Sequence, residues 1–219
     1  MEIIMIRHFF ALFLLFCVPI LSANPGTEVS PATLVREMNL ARQDPRLYAT
    51  YLEELRSHYD GRFLVLPGQT KIQTKEGLHA VDDAIRFLRR ARPQQPLTLS
   101  GGMSRAAADH CADQAGGQMG HDGSDRSNPG RRMNRYGAWG GGWGENISYG
   151  KTSARDIVMA LIIDDGLPAR KHRKNIFSPI FNYTGAAFGP HARYRTICTM
   201  DFAGAYAEHG SAGALVAKY

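Results

Sequence analysis

The pattern of apolar and polar residues predicts that the N-terminal half of the chain is helical. Apolar residues recur at helical spacing between Leu34 and Ala41, and Ser30-Pro31 supplies a cap residue followed by a proline at the first helical position. Asp44-Pro45 ends this helix. Further amphipathic helices are predicted over residues 47–55, 78–92 and 153–165, whereas residues 59–74 have the composition of a loop.

A change of pattern towards the C-terminus predicts strands. Ser100 or Ser104 caps a helix that Gly116-Gly117 stops, so His121 lies just past a helix. Residues 183–188 and 195–202 alternate like strands and form a predicted antiparallel hairpin around residues 189–191. Helices first and strands last predict the α+β class.

Residues 120–152 have an unusual composition, with nine glycines, two tryptophans and few aliphatic side chains. This composition predicts one long structured loop, and long loops within compact domains are often functional. Trp139 and Trp143 either line a groove or anchor the loop, and we favour the anchor. The triple glycine at 140–142 fits neither a dinucleotide-binding nor a P-loop pattern.

The N-terminus reads as a signal peptide. Arg7 precedes an apolar run over residues 9–15, and Leu21-Ser22-Ala23 predicts cleavage after Ala23. An uncleaved segment acting as a membrane anchor is the alternative, although the run is short for a membrane span. We therefore expect residues 1–23 to be a signal peptide, residues 24–206 one domain, and residues 207–219 a short tail.

Charge and cysteine content narrow the function classes. A net charge of +6 favours anionic surfaces such as envelope polymers or lipid head groups. Because there is no basic helix and no aromatic-interleaved basic run, no nucleic-acid partner is expected. Cys111 and Cys198 remain after signal cleavage. In an oxidising compartment they form either a disulfide or two buried thiols, and the sequence leaves both open.

Three residues carry the candidate chemistry: His121, Glu145 and His172. Two imidazoles and a carboxylate are the groups needed for a divalent-metal site or for general acid–base chemistry. Their spacing allows the three side chains to converge, without requiring it.

Several segments in order resemble the CAP superfamily, which comprises cysteine-rich secretory proteins, antigen 5 and pathogenesis-related proteins. The segments are Gly144-Glu145-Asn146-Ile147, His172 to Phe177, and the stretch from His121 to Gly137 with its Arg131-Arg132-Met133-Asn134 core. The likeness runs from about Val35 to about Tyr206, includes Asp201-Phe202-Ala203-Gly204, and is strongest to bacterial members with the SCP domain. It implies a three-layer α-β-α sandwich with a central antiparallel sheet.

The resemblance also implies a site. His121 and His172 would face a shared cavity able to hold zinc or another divalent cation. Glu145 would be a ligand, a partner of a ligand or a general base, or else a structural carboxylate. Asp164 fills the family's second acidic position, where glutamate is usual, and its side chain is one methylene shorter, so it would reach less far towards a metal. We slightly favour Asp164-Asp165 as a solvated helix end.

The remaining motif residues are expected to be structural. Asn146 ties loop backbone together and Asn175 belongs to the same motif set, while Arg132 pairs with Asp125 to hold the loop. Basic side chains at Arg135, Arg173 and Lys174 either face an anionic ligand or form a solvated rim, and we favour the rim.

The expected function is an exported binding or interaction module. Its ligand would be a lipid, an apolar small molecule or an envelope component, with membrane contact only through an uncleaved signal segment. The alternative is a metal-assisted or general-base hydrolase using the same cavity. A serine hydrolase would need Ser124 or Ser148 beside an imidazole, and neither a G-x-S-x-G nor an H-E-x-x-H motif occurs.

Overall fold

The computed structural model describes residues 29–210. The predicted signal peptide and residues 211–219 of the predicted tail lie outside the described residues. The helices are α1 Pro31–Gln43, α2 Pro45–Arg56, α3 Leu78–Arg90, α4 Gly101–Gln114, α5 Pro129–Met133, α6 Ala154–Ile163 and α7 Lys171–Phe177. The strands are β1 Tyr59–Asp60, β2 Phe63–Leu64, β3 Ile72–Gln73, β4 Thr98–Leu99, β5 Gly137–Tyr149, β6 Tyr183–His191 and β7 Arg195–Glu208.

A mixed four-stranded sheet forms the centre of the molecule. Its strand order is β4-β6-β7-β5, in which β4 is parallel to β6 and the other two pairs are antiparallel. Three two-residue strands, β1 to β3, form a separate small sheet within the segment predicted as loop. The α+β prediction is confirmed, and the two-residue parallel strand β4 is added at one edge of an otherwise antiparallel sheet.

Alternation along β7 explains the helical layers on the two faces of this sheet. Cys198, Met200 and Phe202 join the main core, which also contains apolar side chains of α1, α2, α3 and α6. Ile197 and Ala203 point to the opposite face and pack with residues of α4. Successive strand residues face opposite sides, so a single strand fills both cores.

Helix starts follow the predicted cap residues. The hydroxyl of Ser100, rather than that of Ser104, accepts the Met103 N–H, and Ser153 accepts the Asp156 N–H. The end of α6 was predicted at Gly166 and Pro168, but the helix ends at Ile163. It ends there because Asp164 adopts a left-handed conformation with φ of 56°.

The prediction of one long loop over residues 120–152 is wrong. The segment contains α5 and the 13-residue strand β5, which pairs with β7 along its length. Glycines obscure the alternation of β5 in the sequence, and a register shift between Gly140 and Trp143 breaks its period. Trp139 donates to the Gly130 carbonyl at 3.0 Å, so it anchors β5 to α5.

Cys111 and Cys198 are free, buried thiols. Cys111 belongs to α4 and packs against Ile147 and Ile197 on one face of the sheet. Cys198 lies in the main core on the other face. The disulfide alternative is therefore not realised. Burial raises the pKa of both thiols, which keeps them in the neutral form.

No helix within residues 29–210 is both long and apolar enough to span a membrane.

Candidate functional site

Glu145 lies at the centre of a buried network on the edge strand β5. Its Oε1 is 2.7 Å from His121 Nδ1, and its Oε2 accepts from Arg132 Nη2 at 2.5 Å. The carboxylate and the guanidinium are almost completely buried, whereas about half of the His121 side chain is exposed. Because an ionised carboxylate only accepts, His121 Nδ1 carries a hydrogen, and Nε2 is the nitrogen available to a ligand.

His121 is positioned by the turn that follows α4. The imidazoles of His110 and His191 each place Nε2 2.9 Å from a carbonyl of this turn, that of Gly120 and of Gln118 respectively. Both rings are buried. Burial lowers the pKa of His110, which favours a neutral ring there. Two buried rings from separate elements therefore hold the backbone just before His121.

Asp164 and His172 form a second carboxylate–imidazole pair. Asp164 Oδ1 is 2.7 Å from His172 Nδ1, and Oδ2 accepts the His172 N–H at 2.9 Å. The expectation of a solvated helix end is wrong, because the Asp164 side chain is almost completely buried. The neighbouring carboxylate of Asp165 accepts the backbone amides of Lys75 and Glu76. The shorter aspartate reaches its imidazole because the left-handed turn brings α7 back towards it.

Two asparagines join the halves of the site. Asn146 Nδ2 donates to the His172 carbonyl at 3.0 Å, and its Oδ1 accepts from Asn175 Nδ2 at 2.8 Å. Asn175 also donates to the Glu145 carbonyl at 3.2 Å. These hydrogen bonds fix α7 to β5, so they hold the two carboxylate–imidazole pairs in a fixed position relative to each other.

Asp201 is a site residue whose role the sequence analysis missed. It stands directly opposite Glu145 in the β5–β7 ladder, so both side chains face the same side of the sheet. Asp201 is fully buried, and neither of its carboxylate oxygens has a hydrogen-bond partner within the described residues. Burial, reinforced by the charge of Glu145, raises its pKa well above the usual range. The sequence signal that could have identified Asp201 was its place in the family motif of residues 201–204.

Both imidazoles open into one groove of about 480 Å³. One wall is apolar and contains Leu167 and Pro168, and Lys171 and Lys174 contribute positive charge. Lys174 therefore lies at the groove. Arg135 is engaged elsewhere, with Asp109 and Asp125, and Arg173 is buried against the Ile162 carbonyl and Asp83.

One expected contact, between Arg132 and Asp125, does not form. Arg132 pairs with Glu145 rather than with Asp125, because the buried guanidinium lies beneath β5 while Asp125 bonds Arg135 at the surface. Ser124 Oγ donates to Asp113. Ser148 makes no hydrogen bond to an imidazole in the part of the chain described. The described residues thus place no serine nucleophile at the site.

The donor set decides which metal arrangement the site could support. Among residues 29–210, no group of three or more histidine, cysteine, aspartate or glutamate side chains is arranged to hold a metal ion. Both carboxylates bond the Nδ1 atoms of the imidazoles, so they orient possible ligands rather than supply ligand oxygens. The described site thus offers two imidazoles as metal-ligand types, fewer than the three protein ligands of a catalytic zinc site.

Comparison with known proteins gives a family match. The model of the cysteine-rich secretory protein family, CAP, matches residues 83–202, just over half of the 219-residue chain. No curated protein matches the chain significantly.

Three of the similar solved structures are bacterial proteins. One is an extracellular protein containing an SCP domain from Bacillus anthracis, with 18% identity and a TM-score of 0.41, covering 57% of this chain and 39% of that one. Another is an outer surface protein of Borrelia burgdorferi, with 13% identity and a TM-score of 0.42, covering 74% and 93%. A cysteine-rich secretory protein of Staphylococcus aureus has 11% identity and a TM-score of 0.37, covering 58% and 38%. This chain thus spans less than half the length of the first and third of these proteins.

Proposed function

The chain belongs to the cysteine-rich secretory protein (CAP) family, and we propose that it is an exported binding module. Its ligand would occupy the groove between the turn before His121 and the start of α7. A divalent cation held by His121 and His172 would have a structural or modulating role there. The signal-like segment at residues 1–23 supports export.

One observation carries this proposal: each imidazole is held at Nδ1 by its own buried carboxylate, at 2.7 Å in both cases. A carboxylate in this position fixes the tautomer, orients the ring and increases the basicity of the other nitrogen. Two such pairs line one groove and are connected by hydrogen bonds through Asn146 and Asn175. This arrangement suits a ligand that contacts both Nε2 atoms.

The groove lining indicates the ligand class. Leu167, which is 47% exposed, offers apolar surface to solvent, and Lys171 and Lys174 lie close by. Side chains of both kinds suit a molecule with an apolar part and an anionic group, as in a lipid or an envelope component.

The cation would be zinc or another ion that accepts imidazole nitrogen. When bound, it would supply positive charge that attracts anionic oxygen of a ligand. His121 and His172 would hold it, Glu145 and Asp164 would orient those rings, and Arg132 would keep Glu145 in place. Two protein ligands predict weaker binding than a closed four-ligand structural site.

Calorimetric titration of the purified protein with zinc tests the proposal. We expect saturable binding that is lost in both His121→Ala and His172→Ala, because each variant removes one of two ligands. His209→Ala is the matched control, since this exposed histidine lies outside the groove. Absence of binding in the unaltered protein would exclude the cation, and equal binding in all four proteins would place it elsewhere.

A hydrolase is the second candidate, and one observation favours it: His121 beside Glu145 has the arrangement of an oriented general base. Since both oxygens of Glu145 are engaged, the base would be His121 rather than Glu145. Turnover of an ester or peptide substrate that is lost in His121→Ala and Glu145→Gln would replace the binding proposal with the hydrolase.

A further inference from the structure

A second concave surface lies on the other side of α7 from the groove. His172 and Lys174 line the groove, but Arg173 between them points into a separate cleft of about 360 Å³. The other side of this cleft is the C-terminal half of α3, with Arg86, Phe87 and Arg90. The two surfaces are therefore distinct, although they share a helix.

The floor of the cleft is held by ring packing and by hydrogen bonds. The Phe87 ring packs edge-on against Phe177 with centroids 5.0 Å apart, and the Arg173 guanidinium lies 5.2 Å from the Phe87 ring centre. Arg173 is itself fixed by the Ile162 carbonyl at 2.5 Å and by Asp83 at 2.9 Å. A ligand would meet a surface that is already ordered, which reduces the entropy lost on binding.

Positive charge in the cleft exceeds negative charge. Asp83 is its one acidic lining residue among those described, and Oδ2 of this carboxylate is already shared by Arg173 and Arg170, at 2.9 and 3.3 Å. Arg86 reaches Asp83 only at 3.7 Å. Arg90 makes no hydrogen bond or ion pair within residues 29–210. Two guanidinium groups thus remain largely unneutralised beside an apolar floor.

We propose that this cleft binds a phosphate group, as a free anion or as the phosphate of a larger molecule. Arg86 and Arg90 are four residues apart and so lie on the same side of α3, one turn from each other. Guanidinium forks match the oxygens of phosphate and form charge-assisted hydrogen bonds with them. Phe87 and Ala91, which also line the cleft, would contact whatever the phosphate is attached to.

The helix dipole alone does not explain the cluster. Basic residues near a helix C-terminus stabilise the helix by complementing its negative end. Arg89 and Arg90 both lie in the last turn of α3, but Arg89 is already paired with Glu53 at 2.6 Å, on a different side of the helix. Arg86 and Arg90 instead flank a recess and keep free hydrogen-bond donors. This difference makes Arg89 a matched control for both.

The experiment is a titration of the purified full chain with inorganic phosphate, followed by NMR shifts of the backbone amides. We expect saturable shifts at residues 86–91, an affinity reduced at least about tenfold in the Arg86→Gln/Arg90→Gln double variant, and little change in Arg89→Gln. All three residues are exposed, so the variants should fold like the unaltered protein.

A second arm distinguishes the source of the phosphate. Sedimentation with vesicles of phosphatidylglycerol and phosphatidylcholine, against phosphatidylcholine alone, uses the same variants. Binding of free phosphate that depends on Arg86 and Arg90 supports a soluble ligand, and binding to the anionic vesicles alone with the same dependence supports a lipid head group. No binding in either arm, or an equal loss in Arg89→Gln, overturns the proposal.

Discussion

At the scale of single residues, the site depends on how the oxygens of Glu145 are used. One oxygen orients His121 and the other receives the buried Arg132 guanidinium. The resemblance to family motifs predicted that His121, Glu145 and His172 lie in one site. It could not identify Arg132 as the partner of Glu145, because that pairing depends on where α5 packs beneath β5.

Asp201 gives the clearest residue-scale prediction. Its raised pKa means that the folded protein keeps a proton which the unfolded chain releases above about pH 4. Unfolding then releases a proton, so this group makes stability fall as the pH rises from the unfolded pKa to the folded one. We expect Asp201→Asn, which has no such proton, to become progressively more stable relative to the unaltered protein as the pH rises.

Urea unfolding at a series of pH values measures the effect. The difference in unfolding free energy between the two proteins should grow by up to about 1.4 kcal/mol per pH unit within that window. Asp122→Asn, at an exposed position, is the control and should show no such trend. A constant difference between Asp201→Asn and the unaltered protein would mean that Asp201 is ionised in the folded state.

At the scale of elements, the sequence predicts several helices but not the strand β5. Helices α1, α4 and α6 were predictable because caps and apolar periodicity coincide there. Strand β5 was not, because long-range pairing with β7 forms it despite five glycines and a bulge. Local pattern carries little information about such a strand.

The bulge in β5 between Gly140 and Trp143 is the basis of a prediction about the stability of this strand. Gly141 has φ of +67°, and a Cβ there would lie 3.3 Å from the Gly204 Cα. We expect Gly141→Ala to lower the unfolding free energy by about 1–2 kcal/mol, because a side chain disfavours the left-handed conformation. Gly140→Ala is the matched control, since its Cβ would meet only the Ala205 methyl group at 3.8 Å.

Thermal or urea unfolding of both glycine variants provides the measurement. We expect Gly141→Ala to be clearly less stable than Gly140→Ala, which should be neutral or slightly stabilised. Equal stabilities would show that the chain does not need the left-handed conformation at this bulge.

At the scale of the whole molecule, the layered fold was predictable from the sequence, whereas the placement of particular buried residues was not. Helical and strand periodicity predicted the α+β class, and the family motifs added the layered sheet with helices on both faces. Neither predicted that Cys111 and Cys198 lie on opposite faces, because that depends on the register of β7. The register of β7 also places Asp201 opposite Glu145. The sequence alone could not predict that these two carboxyl groups lie together.

The proposed site has two imidazoles, each held by a carboxylate, that present Nε2 to one groove. Long-range proton–nitrogen NMR of His121 and His172 tests it most directly, in alkaline buffer that keeps the rings neutral and with zinc then added. We expect both rings to carry hydrogen on Nδ1, and both Nε2 signals to shift together as zinc is added. Hydrogen on Nε2 of either ring, or a shift at only one histidine, would contradict it.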